Sequence, residues 1–323
     1  MPLTKMPKSH LIYEANNDSE PIISILIPTF KRNSMLAQAL ASSLNQDASC
    51  NFEVIVVDND PESFGLAFDN FMPIKKNICL RYFVNEINLG MTGNWNQCLE
   101  LAKGNWVTML HDDDWLAPNF ISTMLPLLLK GFNFAVCKVD VGDLSYNPLK
   151  INQSRDSSMV FPITHADLIM GNPTPAPGLL ILRKILDDVG RFNDGNYPCA
   201  DYVTYILCAK KSKSVMINRT LAYYRRTDSQ TFKDNTLELM FYKSLEIKQS
   251  LLRRYNLFDA YVFVLSAASW INFVRKKNIA INFPSLNAKL IMALALSKSD
   301  FFLYLLGGTR NRLKKFFRPS LPL

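Results

Sequence analysis

Apolar residues in the first half of the chain come in short unbroken runs. Ile22-Ile23-Ser24-Ile25-Leu26-Ile27-Pro28 is one, closed by a proline, and Phe52-Glu53-Val54-Ile55-Val56-Val57-Asp58 is a second, closed by an acid. Leu80 to Val84 and Asn105 to Leu110 are two more. Runs of this length, rich in β-branched residues, suit strands covered on both faces, as in a parallel sheet. Between them, Met35 to Leu44 and Gly93 to Leu101 carry apolar residues at helical spacing. Strand and helix alternate, so the fold class is α/β: a Rossmann-like, mainly parallel sheet flanked by helices. Sheets of this kind bind ligands beyond the carboxyl ends of their strands. Thr29, Asp58 and the run Asp112-Asp113-Asp114 all fall there, which predicts one shared site.

The pattern loosens further on. Phe134 to Val139 and Leu179 to Leu182 read as strands, the latter fed by the Pro-rich segment Asn172 to Gly178. Asp201 to Ala209 reads as a helix, and Ser214 to Ile217 and Leu221 to Tyr224 as two short strands. Beyond residue 235 the pattern is helical, over 236–255, 258–275, 285–297 and 299–317. The stretch Phe258 to Val274 is apolar but interrupted by polar residues and short for a membrane span, so a packed helix is expected. Residues 1–20 are polar and read as a loose leader. The expected organisation is a leader (1–20), a sheet domain (21–232) and a helical C-terminal region (233–323).

Charge sharpens that division. The chain has a net charge of +8, yet residues 1–209 carry 15 Lys+Arg against 22 Asp+Glu, and residues 210–323 carry 21 against 6. An acidic front suits cation binding; a basic back suits phosphates or an anionic membrane. No nucleic-acid-binding motif accompanies the basic half, so nucleic acid is not an expected partner. The tail sets Phe301 to Leu306 beside Arg310, Arg312, Lys314, Lys315, Phe316, Phe317 and Arg318. It reads equally as a segment lying on a membrane surface or as a solvated tail. Six scattered cysteines without a CxxC pair read as reduced thiols of a cytosolic protein. The N-terminus has no apolar signal segment.

The densest chemistry is His111-Asp112-Asp113-Asp114-Trp115. Carboxylates this crowded raise one another's pKa unless a cation joins them. Hard oxygen ligands suit Mn²⁺ or Mg²⁺, which commonly hold substrate phosphates. A solvated acidic turn capping the next helix is the other reading of the run.

Four ordered segments resemble the family 2, GT-A-fold glycosyltransferases: Ile25 to Arg32, Val56 to Asp60, Asn88-Leu89-Gly90 and Leu110 to Asp114. The resemblance spans residues 22 to about 226. It implies that Pro28, Thr29, Phe30 and Arg32 cradle the nucleotide and that Asp58 accepts from the uracil ring. It places Asn88 and Gly90 in the loop beside the nucleotide. The acid run matches the DxD element, with Asp112 at the ribose and Asp113 and Asp114 at the metal. The usual first acid of that block falls on His111, so which acids ligate stays open. Val189 to Asp194 with Cys199-Ala200-Asp201-Tyr202 resembles the segment bearing the catalytic base of inverting members, which puts the base on Asp201. Ala200 stands where Glu is usual. Arg225 or Arg226 is expected at the diphosphate. The implied activity is transfer from a UDP-sugar to a lipid-linked (undecaprenyl-pyrophosphate) glycan in O-antigen or capsule synthesis. The expected location is the cytoplasmic face of the inner membrane. Two alternatives are a sugar-phosphate nucleotidylyltransferase, whose Gly-rich loop Pro28-Thr29-Phe30 replaces, and a non-catalytic nucleotide-binding protein.

Overall fold

The computed structural model describes residues 8–16, 20–63, 65, 71–142, 157, 159–170, 177–225 and 234–251, with Val264, Ala267, Ala268 and Ile271 beyond them. Arg226, most of 258–275, and the helices expected over 285–297 and 299–317 lie outside the described residues.

The apolar runs are strands: β2 (Ile23–Thr29), β3 (Phe52–Asp58) and β4 (Ile78–Asn85) are buried along their whole length. With β5 (Trp106–Met109) they lie parallel, in the order β4-β3-β2-β5. Burial on both faces follows from helices on both sides of the sheet. Ile23, Ile25 and Ile27 pack on one face with Leu36, Ala39 and Leu40 of α1 (Asn33–Leu44) and with α3 (Phe120–Leu129). Leu26, Ile55 and Val57 pack on the other with Trp95, Cys98 and Leu99 of α2 (Gly90–Leu101) and with α6 (Ala200–Lys211). Successive strand side chains point to opposite faces, so each strand feeds both cores.

The sheet continues past β5. β7 (Phe134–Gly142), β9 (Leu179–Leu182) and β10 (Ser214–Arg225) extend it, and the short β6 (Trp115–Leu116) and β8 (Val160–Ile163) pair with β10. The pairs β5–β9 and β7–β9 are antiparallel, whereas β7–β10 is parallel. The sheet is therefore mainly parallel in its first half and mixed in its second. Short helices α4 (His165–Met170) and α5 (Arg183–Asp188) flank it.

Three expectations need correction. The leader is not loose where it is described: Ser9–Ala15 forms β1, which pairs antiparallel with β4 at the sheet edge. The two short strands expected after residue 213 are one strand, β10; its polar Asn218-Arg219-Thr220 stretch is where the register shifts, a bulge and not a break. Helix α2 begins at Gly90, a turn earlier than its apolar spacing suggests, because Gly90, Thr92 and Gly93 in its first turn add no apolar signal. The first C-terminal helix is present as α7 (Asp234–Leu251), and its Ile247 packs on the α6 side of the core. Among the described residues no helix is long and apolar enough to cross a membrane.

At the amino ends of the parallel strands Glu53 and Arg81 form a buried ion pair. Glu53 also accepts from Ser24 Oγ and from the backbone N–H groups of Lys103 and Gly104, and Arg81 donates to the Leu101 carbonyl at 2.7 Å. Gly104 is required here: a Cβ would sit 2.6 Å from Ser24 Oγ and 2.7 Å from Ile23 backbone. A buried charge so fully hydrogen-bonded is the condition under which an ion pair is tolerated in a core.

Candidate active site

The carboxyl ends of β2, β3 and β5 gather the predicted residues. Thr29, the last residue of β2, donates from Oγ1 to Asp112 Oδ2 at 2.8 Å. Arg32, on the turn into α1, donates to Asp112 Oδ1 at 3.3 Å and to Asp113 Oδ2 at 3.0 Å. Pro28 is buried in β2 opposite Val57, while Phe30 is exposed beneath the Lys31 ammonium. The Asp112 to Asp114 run follows β5, and all three acids are buried, Asp114 completely.

Asp58 ends β3. Its Oδ2 accepts from Tyr82 OH at 2.7 Å and from Ser63 Oγ, and its Oδ1 from the Asp60 N–H at 3.0 Å. The neighbouring phenol is pushed up by burial and by the Asp58 charge. These donors fix the carboxylate in place.

Behind Asp58 lies a cluster of amides that the sequence pattern does not reveal. Asn59 donates to Asn88 Oδ1 at 2.8 Å and accepts from Asn85 and from the Leu89 N–H, both at 2.9 Å. Asn85 also donates to Asn94 Oδ1, and Asn94 donates to the Val57 carbonyl at 3.0 Å. Asn88 Oδ1 further accepts from Gly90 N–H at 2.9 Å, closing a turn in which Gly90 takes φ +71°. Glycine adopts that conformation without the penalty a Cβ brings. The network locks the Asn88–Gly90 loop to the end of β3. Asn59 and Asn88 stand inside the matched segments, but Asn85 and Asn94 had no signal beyond being polar in buried stretches.

Arg225 and Asp201 are placed differently. Arg225 ends β10 and is 1% exposed. Its guanidinium stacks 4.2 Å over the Trp115 ring and donates to Gln38 Oε1 at 2.7 Å, while its backbone N–H donates to Asp114 Oδ1 at 2.9 Å. The side chain thus stands behind the acids, where burial lowers its pKa and Asp113 and Asp114 offset only part of that. Asp201 is the second residue of α6 and accepts the Tyr202 N–H at 2.8 Å. Burial raises its pKa; His111 is the charge that most opposes the rise. His111 therefore links the acid run to Asp201 electrostatically.

The electrostatics favour a cation. Burial and mutual repulsion raise the pKa of Asp112, against the Thr29 bond and the Arg32 charge, and burial and Asp113 raise that of Asp114 still more. Burial works against the Arg32 cation, but Asp112 and Asp113 outweigh it. The run sets three acids against two guanidinium groups, Arg32 and Arg225. Asp114 Oδ2 is buried without a hydrogen-bond partner, as is His111 Nε2. His111, Asp113 and Asp114 each offer a ligand atom, all within 4.8 Å of one another. Crowded acids, an orphaned carboxylate oxygen and convergent donors are what a divalent ion requires.

The family model for glycosyl transferase family 2 matches residues 24–189. The chain belongs to that family and is a glycosyltransferase. It is 30% identical over 218 residues to the GalNAc(5)-diNAcBac-PP-undecaprenol beta-1,3-glucosyltransferase of Campylobacter jejuni, covering 65% of this chain and 67% of that protein. WcaA of Escherichia coli, named for colanic acid biosynthesis, is 31% identical over 137 residues, 41% of this chain and 48% of its own. Among solved structures, residues 1–349 of S. aureus TarS with UDP-GlcNAc superpose with a TM-score of 0.55 at 15% identity, over 90% of this chain and 91% of that one. The mannosyltransferase PcManGT of Pyrobaculum calidifontis, with GDP-Man and Mn²⁺, gives 0.51 at 13% identity, over 89% and 84%. At these identities the likeness is one of fold, the mixed, mainly parallel GT-A architecture expected.

Proposed function

We propose that this glycosyltransferase moves a sugar, with inversion, from a UDP-sugar to a hydroxyl of a lipid-linked (undecaprenyl-pyrophosphate) glycan in O-antigen or capsular polysaccharide assembly. The observation that carries the reading is the grouping at the strand ends: Thr29 and Arg32 hold the acid run, Asp58 stands beside it, and His111 couples the run to Asp201. The Campylobacter jejuni relative named for an undecaprenol-linked acceptor supports the acceptor class. TarS with UDP-GlcNAc supports the donor class.

Each residue then has a task. Asp58, fixed by Tyr82 and Asp60, accepts from the base N–H. Pro28, Thr29 and Phe30 flank base and ribose, and the Asn88–Gly90 turn lets backbone approach the nucleotide. Asp112, held by Thr29 and Arg32, faces the ribose. Asp113 and Asp114 would hold Mn²⁺ or Mg²⁺, which would supply positive charge to the leaving diphosphate. Arg225 steadies Asp114 from behind.

Asp201 is the base. It takes the proton of the acceptor hydroxyl, whose oxygen bonds to the anomeric carbon as the bond to the diphosphate oxygen breaks and UDP leaves with the electron pair. Burial raises the pKa of Asp201 toward a useful basicity. The basic C-terminal region would hold the enzyme on the cytoplasmic face of the inner membrane, near its acceptor. UDP release measured with undecaprenyl-pyrophosphate glycans, with and without Mn²⁺, tests the reading. Release that depends on both acceptor and ion is expected; release to water alone, or indifference to the lipid pyrophosphate, refutes the acceptor class.

A further inference from the structure

His111 occupies the first position of the acid run, where an acid would be ordinary. Its ring plane is set by stacking on Trp95 at 5.3 Å and 19°, and Trp95 is held edge-on by Phe192 at 5.2 Å. His111 Nδ1 lies 3.9 Å from Asp114 Oδ2. That is too long for a hydrogen bond. Bonds of about 2.1 Å place octahedral ligands about 3.0 Å apart when cis and about 4.2 Å apart when trans, so the two atoms lie within the reach of one ion. Asp114 Oδ2 is buried with no hydrogen-bond partner, and so is His111 Nε2. A ligating histidine usually gives its second N–H to a carboxylate. Asp201 lies within electrostatic reach of His111.

We propose that His111 Nδ1 is itself a ligand of the ion, with Asp113 and Asp114, making a mixed imidazole–carboxylate centre that favours Mn²⁺ and later first-row ions over Mg²⁺. Imidazole nitrogen suits transition ions, whereas an all-oxygen set accepts Mg²⁺ readily. Trp95 is then a positioning residue: it presents the imidazole in the ligating orientation before the ion arrives. The inference rests on the ion-dependent reading of the acid run given above.

The full chain loaded with Mn²⁺ and UDP, unlabelled or with ¹⁵N-histidine, is compared by pulsed EPR. The chain has three histidines. Nitrogen couplings that change with the label and vanish in His111→Ala are expected. Titration should show the Mn²⁺ Kd rising on the order of tenfold in His111→Ala and His111→Asn, with the Mg²⁺ Kd moving less than about threefold. Thermal melting of both variants without metal confirms that they fold, and the labelled wild type gives the answer even if neither does. Mn²⁺ bound without label-sensitive coupling overturns the histidine ligand and leaves the ion-dependent reading standing. No Mn²⁺ binding by the wild type, with or without UDP, overturns both.

Discussion

Replacing Asp114 with asparagine keeps Oδ1, which accepts the Arg225 N–H at 2.9 Å, and replaces the buried, unpartnered Oδ2 with an uncharged amide nitrogen. In the metal-free protein this removes a fully buried charge beside Asp112 and Asp113. A buried unsatisfied group costs about 1–3 kcal/mol when neutral and more when charged, so trading the charge for an amide recovers only the difference, on the order of 1–3 kcal/mol. Asp114→Asn should therefore stabilise the metal-free enzyme at pH 7 by about that amount, roughly 2–10 °C in Tm for a domain of this size. The pH dependence has a definite sign. Burial and Asp113 raise the Asp114 pKa in the folded state, so the folded protein binds this proton more tightly than the unfolded chain does. Wild-type stability from this group is complete below the ordinary Asp range and is lost as pH rises through the raised value. The variant's advantage should thus shrink toward pH 4 and grow toward pH 7. Mn²⁺ reverses the order, because an ion at 100 times its Kd stabilises the wild type by about 2.7 kcal/mol and finds a poorer site in the variant. The assay is thermal melting of both proteins at pH 4 to 7, in chelator and in MnCl₂. A variant melting below the wild type in chelator at pH 7 would refute the reasoning, since Asp114 would then be a structural acid.

Other outcomes follow from the same geometry. Asp201→Asn should lower turnover by about 10²–10⁴-fold while UDP affinity and Tm hold, measured by UDP release and calorimetry; unchanged turnover removes the base assignment. Since burial raises the Asp201 pKa, the acidic limb of the wild-type kcat/KM profile should lie above the ordinary Asp value of 3.8; a limb at or below it contradicts an ionised Asp201 as base. Glu53→Leu alone should cost about 3–5 kcal/mol by stranding Arg81, whereas the Glu53→Leu, Arg81→Leu pair should recover much of it in urea melts. Gly90→Ala should cost about 1–2 kcal/mol from its φ of +71°, with open space around the added methyl, and should weaken UDP binding by calorimetry.

The interior of this fold is legible in its sequence because burial on both faces forces unbroken apolar runs. β3 and β9 coincide with the runs Phe52 to Asp58 and Leu179 to Leu182. The edge strand β1 is not legible: one of its faces meets solvent, and its partner β4 lies some seventy residues on. β10 misleads for a similar reason, as its bulge places polar residues where a regular strand would carry apolar ones. In the site, the acids and Thr29 declare themselves through strand-end position. Asn85, Asn94, Tyr82 and Gln38 do not, since an amide or phenol becomes a site residue only through the partner that folding brings to it. The environment of Arg225 was equally hidden: a basic residue near a phosphate site suggests direct contact, yet stacking on Trp115 buries it behind the acids.

The Ser24–Glu53–Arg81–Gly104 clamp lies at the opposite strand ends from the acid run. One rim of the sheet is thus saturated with internal partners, while the other keeps orphaned atoms and crowded acids. A chain arranged this way can change its working rim without loosening its foundation. Loops after β3 and β4, which open on the working rim, are therefore the places to graft new donor or acceptor preferences. Substitutions at the clamp, far from any sugar, should do more to decide whether such grafted enzymes can be produced at all.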